Sequence, residues 1–252
     1  MKKTALITGA TAGIGKATAM KFAENSFNVV ITGRRKEKLQ ELTTEITQKY
    51  NVEALALDFD VRNKSAVENA INSLPDEWKK IDVLVNNAGL AVGLSRIQDG
   101  DIEDWETMID TNIKGLLYVS RMIMPIMIRN GSGHIINIGS IAGKEAYLNG
   151  NVYSATKFAV DGLTKSMRID LLPHGIKVTS ICPGAVKTQF SIVRYKGDKE
   201  KAEKAYGGFQ PLTAEDVADV IFFTASRPEH VNINDIVIMP TAQANTTHLI
   251  RE

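Results

Sequence analysis

The sequence predicts an α/β fold: a single-domain, doubly wound parallel sheet of about seven strands with helices on both faces. Two observations carry that prediction. Short apolar, β-branched runs alternate with longer helix-like segments along all 252 residues, which is the pattern of repeated βαβ units. Most of those runs are also apolar throughout, as strands covered on both faces must be.

The strands fall at Thr4–Thr8, Asn28–Thr32, Glu53–Leu57, Val83–Asn86, His134–Ile138, Lys177–Cys182 and Asp235–Met239. The spacing predicts helices over roughly 14–25, 35–49, 63–73, 104–129, 152–172 and 214–225. Right-handed crossovers wind such units to both sides of the first strand, and ligands then sit beyond the carboxyl ends of the strands. No Pro/Gly/Ser-rich linker, low-complexity stretch or repeat divides the chain, so residues 1–252 read as one domain with a substrate segment near 187–210.

Composition narrows the function classes. The chain is 44% hydrophobic and 23% charged, with a formal net charge of +1 and no basic cluster. Nothing there favours nucleic acid or a membrane surface as partner. Cys182 is the only cysteine, so no internal disulfide can form, which fits a reducing compartment. Met1-Lys2-Lys3 before an apolar run imitates the start of a signal peptide, but the run ends at Thr8-Gly9. The apolar stretch 115–128 is interrupted by Arg121 and Pro125 and falls short of the ~20 residues a bilayer requires. The expected location is the cytoplasm.

The loop after the first strand reads Thr8-Gly9-Ala10-Thr11-Ala12-Gly13-Ile14-Gly15 and opens a helix. Glycines at that junction permit a tight turn and close main-chain approach to a pyrophosphate, with Gly9, Thr11, Gly13 and Ile14 around it. The spacing is G-x-x-x-G-x-G rather than the general G-x-G-x-x-G, so its position carries more weight than its pattern. About 20 residues on, where NAD-binding chains place an acid for the ribose hydroxyls, stand Arg34 and Arg35. Forked, permanently charged guanidinium groups suit a 2′-phosphate and point to NADP(H). The same arginines could instead be the solvated start of the next helix. Asp60 and Val61 follow the third strand, and Asn87 and Gly89 follow the fourth. They face the same groove, where a carboxylate can accept from an adenine amino group, though each is equally a turn signal.

Tyr153 and Lys157 lie four apart in a helical stretch and so share a face. A free tyrosine titrates near 10, and a neighbouring ammonium would lower it toward useful acid–base chemistry. Ser140 follows the fifth strand, where a hydroxyl would point into the ligand crevice and could hold a substrate oxygen, unless it is a capping or turn serine. Asn112 is a poor helix former in the middle of 104–129, which suggests either a water held at a break in the helix or a solvent-facing side chain.

Taken together, Thr8-Gly9-x-x-x-Gly13-x-Gly15, Asn86-Asn87-Ala88-Gly89, Asn112, Ser140, Tyr153-x-x-x-Lys157 and Pro183-Gly184 resemble the short-chain dehydrogenase/reductases over essentially the whole chain. The resemblance implies a Rossmann fold and an Asn112–Ser140–Tyr153–Lys157 tetrad. In it Tyr153 is the acid/base, Ser140 positions the substrate oxygen, Lys157 tunes Tyr153 and binds ribose, and Asn112 carries a relay water. It also implies cofactor contacts at Pro183, Gly184, Val186 and Thr188. Segments 103–112, 133–140, 193–198 and 230–234 are similar to an NADP-dependent branch of 3-hydroxy acid dehydrogenases acting on serine and L-allo-threonine. Relatives of that branch reduce sulfoacetaldehyde or malonic semialdehyde. Its members are typically homotetramers, and Lys144-Glu145-Ala146 departs from some of them.

An acid substrate needs a counter-charge. The 187–210 segment offers Lys187, Arg194 and Lys196, of which Arg194 can bind a carboxylate in a fork, unless it is one more solvated cation. His134, His174, His230 and His248 have no metal-ligand spacing, and no metal is expected. Other readings are a sulfoacetaldehyde, 3-oxoacyl or general carbonyl reductase, and a non-catalytic NADP sensor on the same fold.

Overall fold

The computed structural model describes residues 2–252; Met1 lies outside the described residues. Seven parallel strands are present: β1 (Thr4–Ile7), β2 (Asn28–Gly33), β3 (Ala54–Asp58), β4 (Val83–Asn86), β5 (His134–Ile138), β6 (Lys177–Pro183) and β7 (Asp235–Ile238). Their order in the sheet is β3-β2-β1-β4-β5-β6-β7. The chain winds outward from β1 to β3, then returns to place β4 on the other side of β1. Ile7 stands level with Ile31 and Val85, so the loops after β1, β2 and β4 emerge together where the winding reverses. That is the crevice in which doubly wound sheets bind ligands.

Each apolar strand serves two faces with a period of two. Ala5, Ile7, Val83, Val85, Ile136 and Ile138 pack against α1 (Gly13–Glu24), α2 (Lys36–Lys49) and α9 (Ala214–Ala225). Leu6, Leu84 and Ile135 face α3 (Lys64–Asn72), α5 (Leu116–Asn130) and α6 (Asn151–Leu171). The inner strands are buried; β3 and β7, at the edges, are only partly covered.

The predicted helix 104–129 is two helices. α4 (Ile102–Ile109) begins earlier because Asp101 caps it, accepting from the Glu103 N–H at 3.0 Å. A π-helical turn over Asp110–Gly115 then separates α4 from α5. Gly115 closes that turn where Val61 approaches: an added Cβ would lie 2.7 Å from the valine Cγ2. The 187–210 segment holds two short helices that periodicity did not foretell, α7 (Phe190–Arg194) and α8 (Lys199–Lys204). Among the described residues no helix is long and apolar enough to cross a membrane.

Candidate active site

A groove of about 580 Å³ runs across the carboxyl ends of the strands. It is lined at one end by Gly9, Thr11, Gly13, Ile14, Arg34, Arg35, Asp60 and Val61. At the centre are Asn87, Gly89, Pro183, Gly184, Val186 and Thr188, and at the other end Ser140, Tyr153, Lys157 and Arg194. Of the predicted site residues only Asn112 is set back from its surface.

The first end is built from main chain. Gly9 and Gly13 have φ of +67° and +52°, a region L side chains rarely adopt. A Cβ on Gly15 would sit 2.4 Å from the Gly9 carbonyl oxygen. Thr8 and Asn87 staple this loop to the one after β4. The Asn87 and Ala88 N–H groups donate to Thr8 Oγ1 at 3.0 and 2.9 Å, and Asn87 Nδ2 donates to the Thr8 carbonyl at 2.8 Å. The helix N-terminus of α1 and its uncluttered glycines fit a pyrophosphate.

The two arginines at the end of β2 are exposed and differently engaged. Arg35 donates from Nε and Nη2 to Thr11 Oγ1 (3.1 and 2.7 Å) and from Nη1 to Gln189 Oε1 (3.3 Å). Arg34 lies 3.6 Å from the Asp60 carboxylate. Cations around an open rim, rather than an acid at the strand end, fit an NADP 2′-phosphate.

At the other end, α6 brings Tyr153 and Lys157 into the groove, 9% and 7% exposed. Lys157 donates to the Ile138 carbonyl at 2.8 Å, with its Nζ 5.9 Å from the centre of the Tyr153 ring. Burial pushes the Lys157 ammonium down to about 8 and the Tyr153 hydroxyl up to about 12. The groups that pull Tyr153 downward against this burial are Ser140, by a hydrogen bond, and Arg194, by its charge.

Of the two readings of Asn112, the structure removes the solvent-facing one: the residue is 2% exposed. Its Oδ1 accepts from the Leu90 N–H (2.8 Å), and its Nδ2 donates to the Leu90 carbonyl (2.8 Å) and to Thr156 Oγ1 (3.0 Å). Both amide hydrogens are thus taken, and the side chain braces the loop after β4 against α6. Thr156 passes the contact on to the Tyr153 carbonyl at 2.7 Å. Ser140 opens a short 3₁₀ turn, its Oγ accepting from the Ala142 N–H at 3.1 Å. Lys144, in the divergent Lys144-Glu145-Ala146 stretch, anchors that turn to Asp161 on α6 (2.6 Å) and to Asp235 on β7.

The three candidate cations Lys187, Arg194 and Lys196 part company. Lys187 pairs with Glu203 at 2.7 Å, and Lys196 with Asp104 at 2.8 Å. Among the described residues Arg194 has no carboxylate partner. Its guanidinium stands 5.2 Å from the Tyr147 ring centre and 5.6 Å from that of Tyr153, and it donates to the Tyr147 hydroxyl. Its Nε is buried without a partner. Phe190 packs edge-on against Tyr153 at 5.7 Å. The sequence reading missed Tyr147, Thr156, Gln189 and Phe190, which carry no motif of their own. His134 is buried against Thr179, and among the described residues no group of three or more His, Cys, Asp or Glu could hold a metal.

Comparison with known proteins agrees with this geometry. The short chain dehydrogenase family model matches residues 3–199. The chain is 50% identical over 240 residues to the NADP-dependent 3-hydroxy acid dehydrogenase YdfG of Salmonella typhi, covering 95% of each chain. It is 45% identical over 245 residues to sulfoacetaldehyde reductase 2 of Chromohalobacter salexigens, covering 97% of this chain and 96% of that one. A solved closed form of serine dehydrogenase complexed with NADP+ superposes with a TM-score of 0.92 at 46% identity, over 99% of both chains.

Proposed function

The chain belongs to the short chain dehydrogenase family and is an NADP-dependent oxidoreductase, and on that footing we propose that it acts on small 3-hydroxy acids of the serine, L-allo-threonine or 3-hydroxypropionate type, or on their carbonyl counterparts. The observation that carries the substrate class is Arg194, a cation without a carboxylate partner among the described residues, set over the ring of Tyr153. A substrate oxygen between Ser140 and Tyr153 leaves the acid group of a short molecule facing that guanidinium.

In this reading Gly9, Thr11, Gly13 and Ile14 receive the pyrophosphate, and Arg34 and Arg35 the 2′-phosphate. Asp60 and Val61 border the adenine; Asn87, Gly89 and Lys157 hold the ribose side; Pro183, Gly184, Val186 and Thr188 flank the nicotinamide. NADP, when bound, supplies or takes up the hydride. Ser140 holds the substrate oxygen. Neutral Tyr153 gives its proton to that oxygen during reduction, and the phenolate removes a proton during oxidation. Asn112 braces the helix that carries Tyr153.

A second reading, reduction of sulfoacetaldehyde, draws on the Chromohalobacter relative and on the ability of a guanidinium to bind a sulfonate as well as a carboxylate. A 3-oxoacyl or neutral carbonyl substrate leaves Arg194 without a counter-charge. The assembly is read as a homotetramer in the cytoplasm. Phe158, Ile169 and Leu172 stand exposed along and just after α6, Val237 on the edge strand β7, and Cys182 is a free thiol.

The test is an NADP(H)-coupled screen of 3-hydroxy acids, aldehyde sulfonates, neutral diols and a 3-oxoacyl thioester, run on the wild type and on Arg194→Ala. The variant should raise KM for acids roughly 10- to 100-fold, the worth of a charge-assisted hydrogen bond, and leave neutral alcohols unchanged. An equal effect on both classes refutes the assignment.

A further inference from the structure

Asp60 stands between two cations at the adenine end of the groove. Arg62 grips it: the main-chain N–H and Nε donate to Oδ1 (3.0 and 3.1 Å), while Nε and Nη2 donate to Oδ2 (3.0 and 2.7 Å). Arg34 approaches the same Oδ2 at 3.6 Å, an ion pair too long for a hydrogen bond. Burial works to raise the Asp60 carboxyl, but the bonds from Arg62 offset it and hold the group below the usual range, so it is a full anion. Arg35 has no such rival: its donors go to the neutral oxygens of Thr11 and Gln189.

The basic pair at the end of β2 is thus unequal. A carboxylate beside Arg34 is a competitor for any phosphate, because it offers the same forked geometry and the same charge sign. What separates the two is that Arg62 already engages both Asp60 oxygens, with its main-chain N–H, a shared Nε–H and Nη2. Three charges in a row, Arg34, Asp60 and Arg62, leave one positive charge unspent. Without Arg62, Asp60 and Arg34 would form a neutral pair.

We infer that Arg62 is a specificity-determining residue for the cofactor: by occupying Asp60 it prevents that carboxylate from neutralising Arg34 and leaves Arg34 available to a 2′-phosphate. The inference rests on the reading of Arg34 and Arg35 as the phosphate-binding pair. Arg62 acts here as a positioning residue, through Asp60, and discriminates NADP(H) from NAD(H) without touching the phosphate.

Titrating NADPH and NADH into the full-length protein by cofactor fluorescence tests this. Arg62→Gln should raise the NADPH Kd about tenfold and leave the NADH Kd within about twofold. Asp60→Asn alone should keep the preference for NADPH, since no carboxylate remains to compete. The double variant Asp60→Asn/Arg62→Gln should restore the wild-type NADPH-to-NADH ratio, because any loss of an adenine contact affects both cofactors and cancels. Equal weakening of both cofactors by Arg62→Gln would overturn the inference, as Arg62 would then only orient Asp60 toward adenine. A double variant still as poor for NADPH as Arg62→Gln would also overturn it, since Arg62 would then attract the phosphate directly. Arg34→Gln separates the two levels. If it abolishes the preference while Arg62→Gln does not, only the present inference fails; if it leaves the preference intact, the phosphate-binding role of Arg34 fails with it.

Discussion

At the cofactor end of the groove the walls are main chain, and at the substrate end they are side chains held by other side chains. Around Gly9, Gly13 and Gly15 the critical dimensions are set by missing Cβ atoms and by two staples, Thr8 and Asn87, that join neighbouring loops. Around Tyr153 every group depends on a partner far away in sequence: Arg194 on Tyr147, Asn112 on Leu90 and Thr156, Lys157 on the Ile138 carbonyl. The first construction binds a constant ligand and has little room to vary. The second can be retuned by exchanging one side chain, which is where substrate choice within a shared fold is made.

This contrast can be broken in four places. The largest effect belongs to Tyr153→Phe, which removes the proton and leaves the groove's shape. kcat should fall about 10³-fold, within the range of general acid–base catalysis, with NADPH affinity unchanged by fluorescence titration. Retained turnover would mean that the substrate end does not do the proton chemistry.

Next is Lys157→Met, which exchanges function for stability. Burial holds the folded-state Lys157 near 8 against 10.5 for an exposed lysine, so its ammonium disfavours the fold at neutral pH. Between about pH 8 and 10.5 the unfolded chain binds more protons than the folded one, and wild-type stability from this group rises with pH. The fall from 10.5 to about 8 is worth on the order of 3 kcal/mol at pH 7, less about 1 for the lost bond to Ile138. The variant should therefore gain about 2 kcal/mol in urea melts at pH 7, with the gain shrinking by pH 10. A loss at pH 7 would show that the ammonium's contacts outweigh its desolvation.

Gly15→Ala probes the other construction. One methyl placed 2.4 Å from the Gly9 carbonyl oxygen forces the loop to shift, a cost of about 1.5 kcal/mol, so the NADPH Kd should rise about tenfold. KM values for acids at saturating NADPH should not change; if they do, the two ends are coupled more tightly than their separate construction implies. The smallest effect is that of Tyr147→Phe, which withdraws one hydrogen-bond partner from Arg194 and keeps the ring beneath it. KM for acids should rise about fivefold, near 1 kcal/mol, with neutral alcohols unaffected.

Legibility in sequence follows the same division. The glycine loop, Arg34 with Arg35, and the Tyr153/Lys157 spacing could be read directly as residue types at set spacings along one turn or one helix; their distant partners, such as Gln189 for Arg35, could not. The seven strands and their parallel order followed from runs that are apolar on both faces. The side-chain partners of Asn112 could not be read, because they lie 22 and 44 residues away. A break in the helix was one reading of Asn112; its form, a π-helical turn whose Gly115 stands against Val61, could not be read. Arg194 was favoured over Lys187 and Lys196 for its forked donors, but the pairing of the three was not legible. Glu203 and Asp104, contributed by other turns of the chain, neutralise the two lysines and leave the arginine.

The doubly wound parallel sheet, the crevice beyond its carboxyl ends and the residue types gathered there are legible in the order of residues alone, because periodicity and missing Cβ atoms are local properties. The pairing of those residues is set by the fold. It buries the Tyr153 hydroxyl, ties the Asn112 side chain to Leu90 and Thr156, and leaves Arg194, among the described residues, without a carboxylate partner while Lys187 and Lys196 have theirs. Burial and pairing depend on what the rest of the chain brings alongside, and no local pattern records that.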